Sequence, residues 1–420
     1  VRFGQNLAPP TQGVFRIPEA PKIFAVGTQC LQNNLTTIAS WKKWSGRRQE
    51  FVPCACPGKI AETLLDMAGK YRIQPLSGIV NAPTLRPDYS ILEKEGYDVS
   101  TGLYCDFDGV DFPPIPQRPT RQDAEQAGEL LLDVIGEFPF KTQADRSVAL
   151  AFILTALVRR SLPTSPGFAL SATVMATGKT RLANLASHIA YGCSADNISY
   201  TMDETEMHKR IFSLLAEGAG VVVLDNLEQP LAGETLCTVL TEQIYKGRLL
   251  GKSQMERVST NVTWAATGNN LTMKGDITTR FLLCQMDAQV ERPEERAFRR
   301  NLDRYVPAHR AELVVAGLTV WRAFSISSVK PKLKPYGRFE AWSDLIRGYV
   351  VWVGLPDPLD TREEIDANDP VRESLNAGLV AWFETFGERP VVVKDIISPE
   401  NGSTVLIEAL ESAVFCRGSL

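Results

Sequence analysis

The sequence contains few of the residues that build metal sites. It has three histidines and eight cysteines, and only Cys54 and Cys56 lie close together, with no histidine near them in the chain. Structural zinc sites take four such ligands, usually as two close pairs, so this spacing disfavours zinc. We expect the cysteines to be reduced thiols of an intracellular protein.

Long apolar runs are also missing. No stretch approaches the roughly 20 apolar residues of a membrane span, and the opening VRFGQNLAPP lacks the apolar core of a secretory signal. With 44% hydrophobic and 22% charged residues, the composition is that of a soluble globular protein. A cytoplasmic location and no membrane partner are therefore expected.

Neither sign of charge dominates the chain as a whole. The formal net charge is -4, but residues 1–60 carry eight Lys and Arg against two Glu. The positive charge is thus concentrated near the N-terminal end, and a polyanionic partner is expected to contact that end.

Two Pro- and Gly-rich segments, DFPPIPQRPT (111–120) and KPKLKPYG (330–337), are typical of linkers. Residues 1–112 are rich in turns and short strand-like runs, which predicts an N-terminal α+β domain. Residues 120–300 have two leading helices and then apolar strands alternating with helices, which predicts a three-layer α/β core with a mainly parallel sheet. Residues 301–420 are mostly helical in pattern, with GYVVWVGL among the most apolar stretches.

The segment SATVMATGKTRLANL (171–185) resembles a phosphate-binding loop that enters a helix. In such a P-loop, backbone N–H groups hold phosphate, the lysine reaches the terminal phosphates and the following hydroxyl binds Mg²⁺. The pattern asks for glycine at Thr173, where glycine only eases a tight turn, so we expect a reshaped but working loop. The predicted ATP contacts are Thr173, Ala176, Thr177, Gly178, Lys179, Thr180 and Arg181.

Three further motifs follow in the order of an ATPase site. AGVVVLDN is an apolar strand with Asp225 at its polar end, a carboxylate for Mg²⁺. VTWAATGNN is another apolar strand that ends in polar residues, and its Asn269 could orient water beside the terminal phosphate. Arg280 closes KGDITTR and could stabilise transition-state charge in a neighbouring subunit. Singly, these residues are also explained as a helix cap, a turn residue and a solvated arginine. Their order and spacing favour a site for ATP and Mg²⁺.

TGKT, VVVLDN, VTWAATGNN and GDITTRFLLCQMDAQVERPEERAF together resemble the AAA+ helicase module of superfamily 3 and related initiator-type ATPases of phages, plasmids and integrative elements. IVNAPTLRPDYSILEKEGYDVSTGLY looks like the segment before the motor in primase-helicases, and RFEAWSDLIRGYVVWVGLPDP looks like the helical lid after it. The resemblance implies an AAA+ P-loop fold with a lid, a homo-oligomeric ring, usually a hexamer, that moves on DNA, and a primase or other replication proteins as partners. It makes Lys179 and Thr180 the Walker A pair, Asp225 the Walker B aspartate, Asn269 the sensor and Arg280 the arginine finger.

The chain departs from the family pattern at the catalytic base. Asn226 stands where many AAA+ proteins have glutamate, although an LDN ending occurs in the resembled group. Glu228 is a candidate substitute that polarises water, or it only faces solvent. Arg347, on the lid helix, could contact the nucleotide as a second sensor or face solvent. The C-terminal ERPVVVKDIISPENGSTVLIEAL could begin a winged-helix domain.

Two segments are candidates for contact with nucleic acid. YKGRLLGKSQMERVSTN carries Lys246, Arg248 and Lys252 where related rings place a hairpin in the central channel; a solvated charged loop is the alternative. WKKWSGRR combines aromatic and cationic residues that could stack on bases and hold phosphates, although a hairpin with one buried tryptophan explains them too. Its candidate residues are Trp41, Lys42, Lys43, Arg47 and Arg48.

The motifs together predict an ATP-hydrolysing ring helicase that acts in replication of a mobile element or phage. An origin-binding initiator or loader without processive unwinding, and a nucleotide-binding scaffold with weak hydrolysis, remain as alternatives.

Overall fold

The computed structural model describes residues 2–4, 22–24, 26–67, 70, 74–107, 109–248, 255–296, 298–367 and 370–392. The chain forms two compact units, residues 1–80 with 95–106 and residues 81–94 with 107–420. The expected domain 1–112 stays a prediction, and within these two units residues 81–94 group with the larger one. A physical reason is that the Thr84 hydroxyl donates a hydrogen bond to the backbone oxygen of Leu157, 2.8 Å away. A boundary near residue 300 stays a prediction.

The described elements are numbered in chain order. The strands are β1 Arg2–Gly4, β2 Lys22–Phe24, β3 Lys42–Ser45, β4 Glu50–Pro53, β5 Gly78–Val80, β6 Thr84–Leu85, β7 Ile91–Leu92, β8 Gly96–Asp98, β9 Leu103–Cys105, β10 Gly167–Ala172, β11 Asp196–Ser199, β12 Val221–Leu227, β13 Ile244–Arg248, β14 Met255–Ser259, β15 Thr263–Asn269 and β16 Phe281–Met286. The α-helices are α1 Thr28–Ile38, α2 Gly58–Asp66, α3 Arg121–Val134, α4 Gln143–Val158, α5 Lys179–Tyr191, α6 Glu204–Glu217, α7 Glu234–Thr241, α8 Leu302–Ala308, α9 Arg310–Ile326, α10 Glu340–Trp342, α11 Gly348–Trp352, α12 Arg362–Ala367 and α13 Pro370–Phe386. A π-helical segment, Ser343–Arg347, joins α10 to α11, and 3₁₀ turns lie at Arg159–Ser161, Gly275–Thr279, Pro293–Glu295 and Pro358–Thr361.

The smaller unit combines short strands with α1 and α2. Strands β5, β9 and β8 form a sheet in that order, and β3 pairs with β4 as an antiparallel hairpin. The chain after β4 is held against α1 because the Gln32 side chain donates to the Cys56 oxygen (2.7 Å) and the Cys56 N–H donates to the Thr36 hydroxyl (3.0 Å).

A five-stranded sheet in the order β11-β12-β15-β10-β16 is the centre of the larger unit, and all its pairings are parallel. This confirms the predicted α/β class with a parallel sheet. All six residues of β10 are buried, as expected for a parallel strand that is covered on both faces. Helix α5 packs against β10, β12 and β15. The three-layer arrangement stays a prediction.

Helix α4 lies in the core and packs against β15, β16 and α5. Its residues are apolar on all sides and buried from Ser147 to Val158, which is typical of a helix that is surrounded by protein. A capping box between Thr142 and Asp145 begins it. Asp145 also accepts a hydrogen bond of 2.6 Å from the Gln285 N–H, which ties the start of α4 to β16, and burial raises the pKa of this carboxyl.

The segment ETLCTVLTEQIYKG does not form a single helix. Helix α7 ends at Thr241, because Ile244–Arg248 pairs with β14 instead. The lid segment is helical over Glu340–Trp352, and its role as a lid stays a prediction. The expected winged helix falls mainly on residues 393–420, outside the described residues. None of the described helices has the length and apolar character to cross a membrane.

Candidate functional site

The strand order brings the predicted nucleotide motifs to one edge of the sheet. After β10 the chain crosses to β11, at one end of the sheet, whereas after β15 it crosses past β10 to β16, at the other end. Neighbouring strands β10 and β15 thus send their connections in opposite directions. In open α/β sheets, ligands bind at such a switch point, outside the carboxyl ends of the strands. The P-loop follows β10 and Asn269 ends β15.

The loop between β10 and α5 makes a tight turn with two residues in the left-handed region of backbone conformation. Ala176 and Gly178 have positive φ angles of 57° and 109°, and the buried Thr177 hydroxyl donates to the Val174 oxygen over 2.7 Å. Thr173 is exposed immediately after the strand. No described side chain caps the N-terminus of α5, so its first N–H groups are free to meet an anion.

Lys179 connects this loop to the end of β15. Its ammonium nitrogen lies 2.7 Å from the Asn269 side-chain oxygen and 3.4 Å from the Val174 backbone oxygen. Burial lowers the pKa of Lys179, and the negative charge of Asp225 partly opposes that shift. The lysine is therefore positioned between the loop and two of the predicted polar strand ends.

Asp225 lies at the centre of a second hydrogen-bonded group. Its Oδ1 accepts from the Thr180 hydroxyl at 3.3 Å and from the Thr267 hydroxyl at 2.5 Å. The Thr267 hydroxyl in turn accepts from the backbone N–H of Asn226 at 3.0 Å, at a bulge where Asn226 has a φ of 53°. Thr267 fixes both residues, and the sequence analysis missed it.

The oxygens around Asp225 suit a magnesium ion. Mg²⁺ prefers hard oxygen ligands and is commonly held by one or two protein groups together with substrate phosphates and water. Thr180 and Asp225 supply a hydroxyl and a carboxylate side by side. Within the described residues, no group of three or more His, Cys, Asp or Glu side chains could hold a metal ion. A magnesium ion at Asp225 would therefore need phosphate oxygens and water as further ligands.

A cleft of about 260 Å³ lies beside the P-loop. Arg181 forms one side: its guanidinium pairs with Asp303 at 2.8 Å and lies 5.9 Å from the centre of the Phe298 ring. Apolar walls with a few polar groups are typical of small-molecule sites. The sequence does not predict that Phe138 and Phe298 lie beside the P-loop, because they come from separate segments of the chain. The lining residues are Glu137, Phe138, Pro139, Ala176, Thr177, Gly178, Arg181, Pro293, Glu294, Phe298 and Leu302.

Two predicted arginines are buried and bound within the chain. Arg280 donates to the Cys237 backbone oxygen at 2.5 Å and to Asp276 at 3.1 Å. Arg347 forms a 2.6 Å ion pair with Asp357 and further hydrogen bonds to neighbouring oxygens. Neither guanidinium is presented to solvent. An arginine finger and a second sensor at these positions stay predictions, and these contacts do not favour either.

The candidate water-activating residues lie at the end of β12. The side chains of Asn226 and Glu228 are both exposed. Among the described residues, Glu228 has no hydrogen bond or ion pair. Its position leaves both interpretations open, a catalytic base or a solvated carboxylate.

Strands β13 and β14 form the hairpin expected between the second and third motifs. One face packs on α6, where Gly247 lies so close to the Phe212 ring that a Cβ would be 2.4 Å from it. Lys246 and Arg248 are exposed on the other face, and Arg257 lies directly opposite Lys246. These three cations have no carboxylate partner among the described residues. Lys252 lies outside the described residues.

The second candidate segment is the β3–β4 hairpin of the smaller unit. Lys42, Lys43, Arg47 and Arg48 are exposed. Trp41 is half-buried, and its indole N–H donates to the Leu35 oxygen at 2.7 Å. The hairpin therefore has one partly buried tryptophan together with an exposed cationic surface, and its contact with nucleic acid stays a prediction.

Comparison with known proteins leaves the family open. No protein-family model and no curated protein sequence matches the chain. The A-form apo structure of the NrS-1 C-terminal region has 10% identity and a TM-score of 0.38 over 91% of this chain and 86% of that one. Inhibitor-bound JCV helicase has 13% identity and a TM-score of 0.26 over 62% of this chain and 64% of that one. At these values the similarities carry no functional argument, which rests on the site itself.

Proposed function

We propose that this chain is the motor of an ATP-dependent DNA helicase, a ring-forming AAA+ ATPase that acts in replication of a mobile genetic element or phage. The observation that carries the proposal is the pair of hydrogen bonds that join the P-loop helix to its neighbours, from Lys179 to Asn269 and from Thr180 to Asp225. Four residues predicted from separate motifs thereby meet at one edge of the sheet. The proposed ring is a hexamer in the cytoplasm that works with a primase or other replication proteins.

Each polar residue of the site has a task in this proposal. The N–H groups at the start of α5 and the ammonium of Lys179 hold the phosphates of ATP, and Thr180 and Asp225 hold Mg²⁺. The bound ion would neutralise charge that develops on the phosphates. Asn269 orients the attacking water, and Glu228 is the nearest candidate in sequence to accept its proton. The aromatic cleft beside Arg181 takes the base.

The DNA contact of the motor is assigned to the β13–β14 hairpin. Its exposed face carries Lys246, Arg248 and Arg257, and like charges directly opposite one another destabilise a strand pair. A phosphate backbone that neutralises these charges would relieve that repulsion. In a ring, the few cations of each subunit would be repeated around the channel.

A nucleotide-binding scaffold with weak hydrolysis is the second candidate. Two observations favour it: Asn226 stands at the usual place of the catalytic glutamate, and Arg280 is bound within its own chain. An initiator that opens DNA without processive unwinding shares the ATPase site and differs only in its action on DNA.

The test is ATP hydrolysis with and without single-stranded DNA. Lys179→Ala should abolish turnover, because the phosphates lose their only predicted lysine. Lys209→Ala is the matched control, since it removes a lysine of α6 whose side chain is 51% exposed. If Arg280 acts as the arginine finger, Arg280→Ala should lower turnover of the assembled ring without preventing ATP binding. If it only holds Cys237 and Asp276 of its own chain, the variant should instead lose stability.

Different outcomes separate the candidates. DNA-stimulated turnover together with displacement of a strand from a forked duplex supports the helicase, and turnover without displacement supports the initiator. ATP binding without turnover in the parent protein identifies the scaffold. Equal turnover in the parent and Lys179→Ala would remove the basis of all three.

A further inference from the structure

Two aromatic rings stand exposed on the β3–β4 hairpin. The side chains of Trp44 and Phe51 lie directly opposite one another in the strand register, with 53% and 64% of their surfaces exposed. Their ring centres are 5.2 Å apart at an interplanar angle of 69°, an edge-to-face contact. Such a pair stabilises a hairpin, but that role does not require both rings to remain largely in solvent.

The neighbouring tryptophan has a different role. The Trp41 indole donates to the Leu35 oxygen of α1, so this ring anchors the hairpin to the rest of the smaller unit. Trp44 makes no hydrogen bond among the described residues. The sequence pattern could not distinguish the two tryptophans, because both sit beside lysines in WKKWSGRR.

Four cations flank the exposed rings in the sequence of the hairpin. Lys42 lies two residues before Trp44 on the same strand and therefore on the same face. Lys43 lies on the other face, and Arg47 and Arg48 lie in the turn between the strands. None of the four has a carboxylate partner among the described residues, and the hairpin contains one acidic residue, Glu50. The hairpin thus combines two exposed aromatic rings with a local excess of positive charge.

We infer that this hairpin is a binding site for single-stranded nucleic acid, with unpaired bases stacked on Trp44 and Phe51 and phosphates held by Lys42, Arg47 and Arg48. Duplex bases are excluded because their faces are covered by neighbouring pairs, whereas every unpaired base offers a face to an aromatic ring. A protein surface could also cover two rings, but the hairpin carries four cations, none with a carboxylate partner among the described residues, against one carboxylate, and this balance favours a polyanion. The site lies in the smaller unit and does not depend on ATP hydrolysis.

The test is binding of fluorescein-labelled dT20, rU20 and a blunt DNA duplex to the full chain, followed by anisotropy without nucleotide. Stacking is lost in Trp44→Ala and in Trp44→Leu, which keeps an apolar side chain, and it is kept in Trp44→Phe. The expected loss of affinity for dT20 is roughly five- to 150-fold in the first two variants and under about twofold in the third. The dT20 and rU20 arms tell DNA from RNA.

Phe51→Ala has a closely matched control in Phe383→Ala, since Phe383 on α13 is 63% exposed and the sequence around it, LNAGLVAWFETFG, contains no Lys or Arg. Phe51→Ala should weaken binding and Phe383→Ala should not. Photo-crosslinking with 5-iododeoxyuridine in dT20 should map an adduct to the β3–β4 hairpin.

Three results would overturn the inference: oligonucleotide affinity within twofold of the parent in Trp44→Ala and Trp44→Leu, adducts confined to the β13–β14 hairpin, or no binding by the parent at all. Loss of self-association in Trp44→Ala with unchanged oligonucleotide binding would assign the rings to a protein interface instead. ATP turnover is measured on every variant. A parent that binds dT20 but hydrolyses no ATP would contradict the proposed motor and leave this site standing.

Discussion

Two threonines of β15 can each be replaced by valine to test the proposed site. Thr263 and Thr267 are both buried, with 0% and 2% of their surfaces exposed, and their even spacing puts them on one face of the strand. The Thr267 hydroxyl bonds with Asp225 and with the Asn226 N–H. The Thr263 hydroxyl has no partner among the described residues. Replacing each threonine by valine therefore removes a bridging hydroxyl in one case and an unsatisfied one in the other.

Thr267→Val should lower the free energy of unfolding, whereas Thr263→Val should leave it unchanged or raise it. Thr267→Val removes a hydrogen bond to a carboxylate and leaves the Asn226 N–H without an acceptor, which should lower the free energy of unfolding by about 1.5–3 kcal/mol. Thr263→Val removes a buried hydroxyl that makes no hydrogen bond. Because burying such a group costs about 1–3 kcal/mol, this variant should be as stable as the parent or more stable by up to that amount.

Urea unfolding and ATP turnover measure the two consequences. Thr267→Val should also raise the Mg²⁺ concentration needed for half-maximal turnover, since the carboxylate of Asp225 is no longer oriented. Thr263→Val should leave that concentration unchanged. If both variants shift the unfolding free energy by the same sign and size, or if Thr267→Val keeps the parent's Mg²⁺ dependence, the hydroxyl bridge does not have the role assigned to it.

Three further measurements address other parts of the molecule. Lys246→Ala should reduce the slope of log affinity for single-stranded DNA against log salt by about 0.7, the value of one phosphate contact. Burial lowers the pKa of His188, so its protonated form is disfavoured in the folded chain. The free energy of unfolding should therefore fall as the pH drops from 6.5 through the lowered pKa. In urea titrations, His188→Gln should not show this pH-dependent decrease. Gly178→Ala should weaken ATP binding in a direct titration, because φ is 109° and the new Cβ would be 3.2 Å from the Phe138 ring, whereas Ala176→Gly should be tolerated.

The sequence predicted the parts of the site that lie at strand ends. Continuous apolar runs marked the buried strands, and a polar residue after each run marked the edge of a parallel sheet, so Asp225 and Asn269 could be placed near the P-loop before the fold was known. The structure brings them together through Thr180 and Lys179. A β-branched residue inside a strand gives no such signal, which is why Thr267 was missed.

Partners that depend on tertiary contact could not be predicted. Phe138 and Phe298 come from segments far apart in sequence and line the same cleft only because the chain folds back beside the P-loop. The burial of Arg280 depends on α7, whose Cys237 oxygen accepts from it. A local pattern describes the arginine's neighbours in sequence, and it contains no information on which backbone oxygen will face its guanidinium.

The hydrogen bond between Lys179 and Asn269 links the two tasks proposed for these residues, phosphate binding by the lysine and water positioning by the asparagine. An ammonium group has three N–H donors, and in this structure they serve Asn269 and, at longer range, Val174. A terminal phosphate can accept from the third donor, and a phosphate with more than one oxygen in reach would also compete for the donor that Asn269 now accepts. In the proposed site, Asn269 would be released to hold water when a phosphate takes that donor. It would then respond to the γ-phosphate through the lysine.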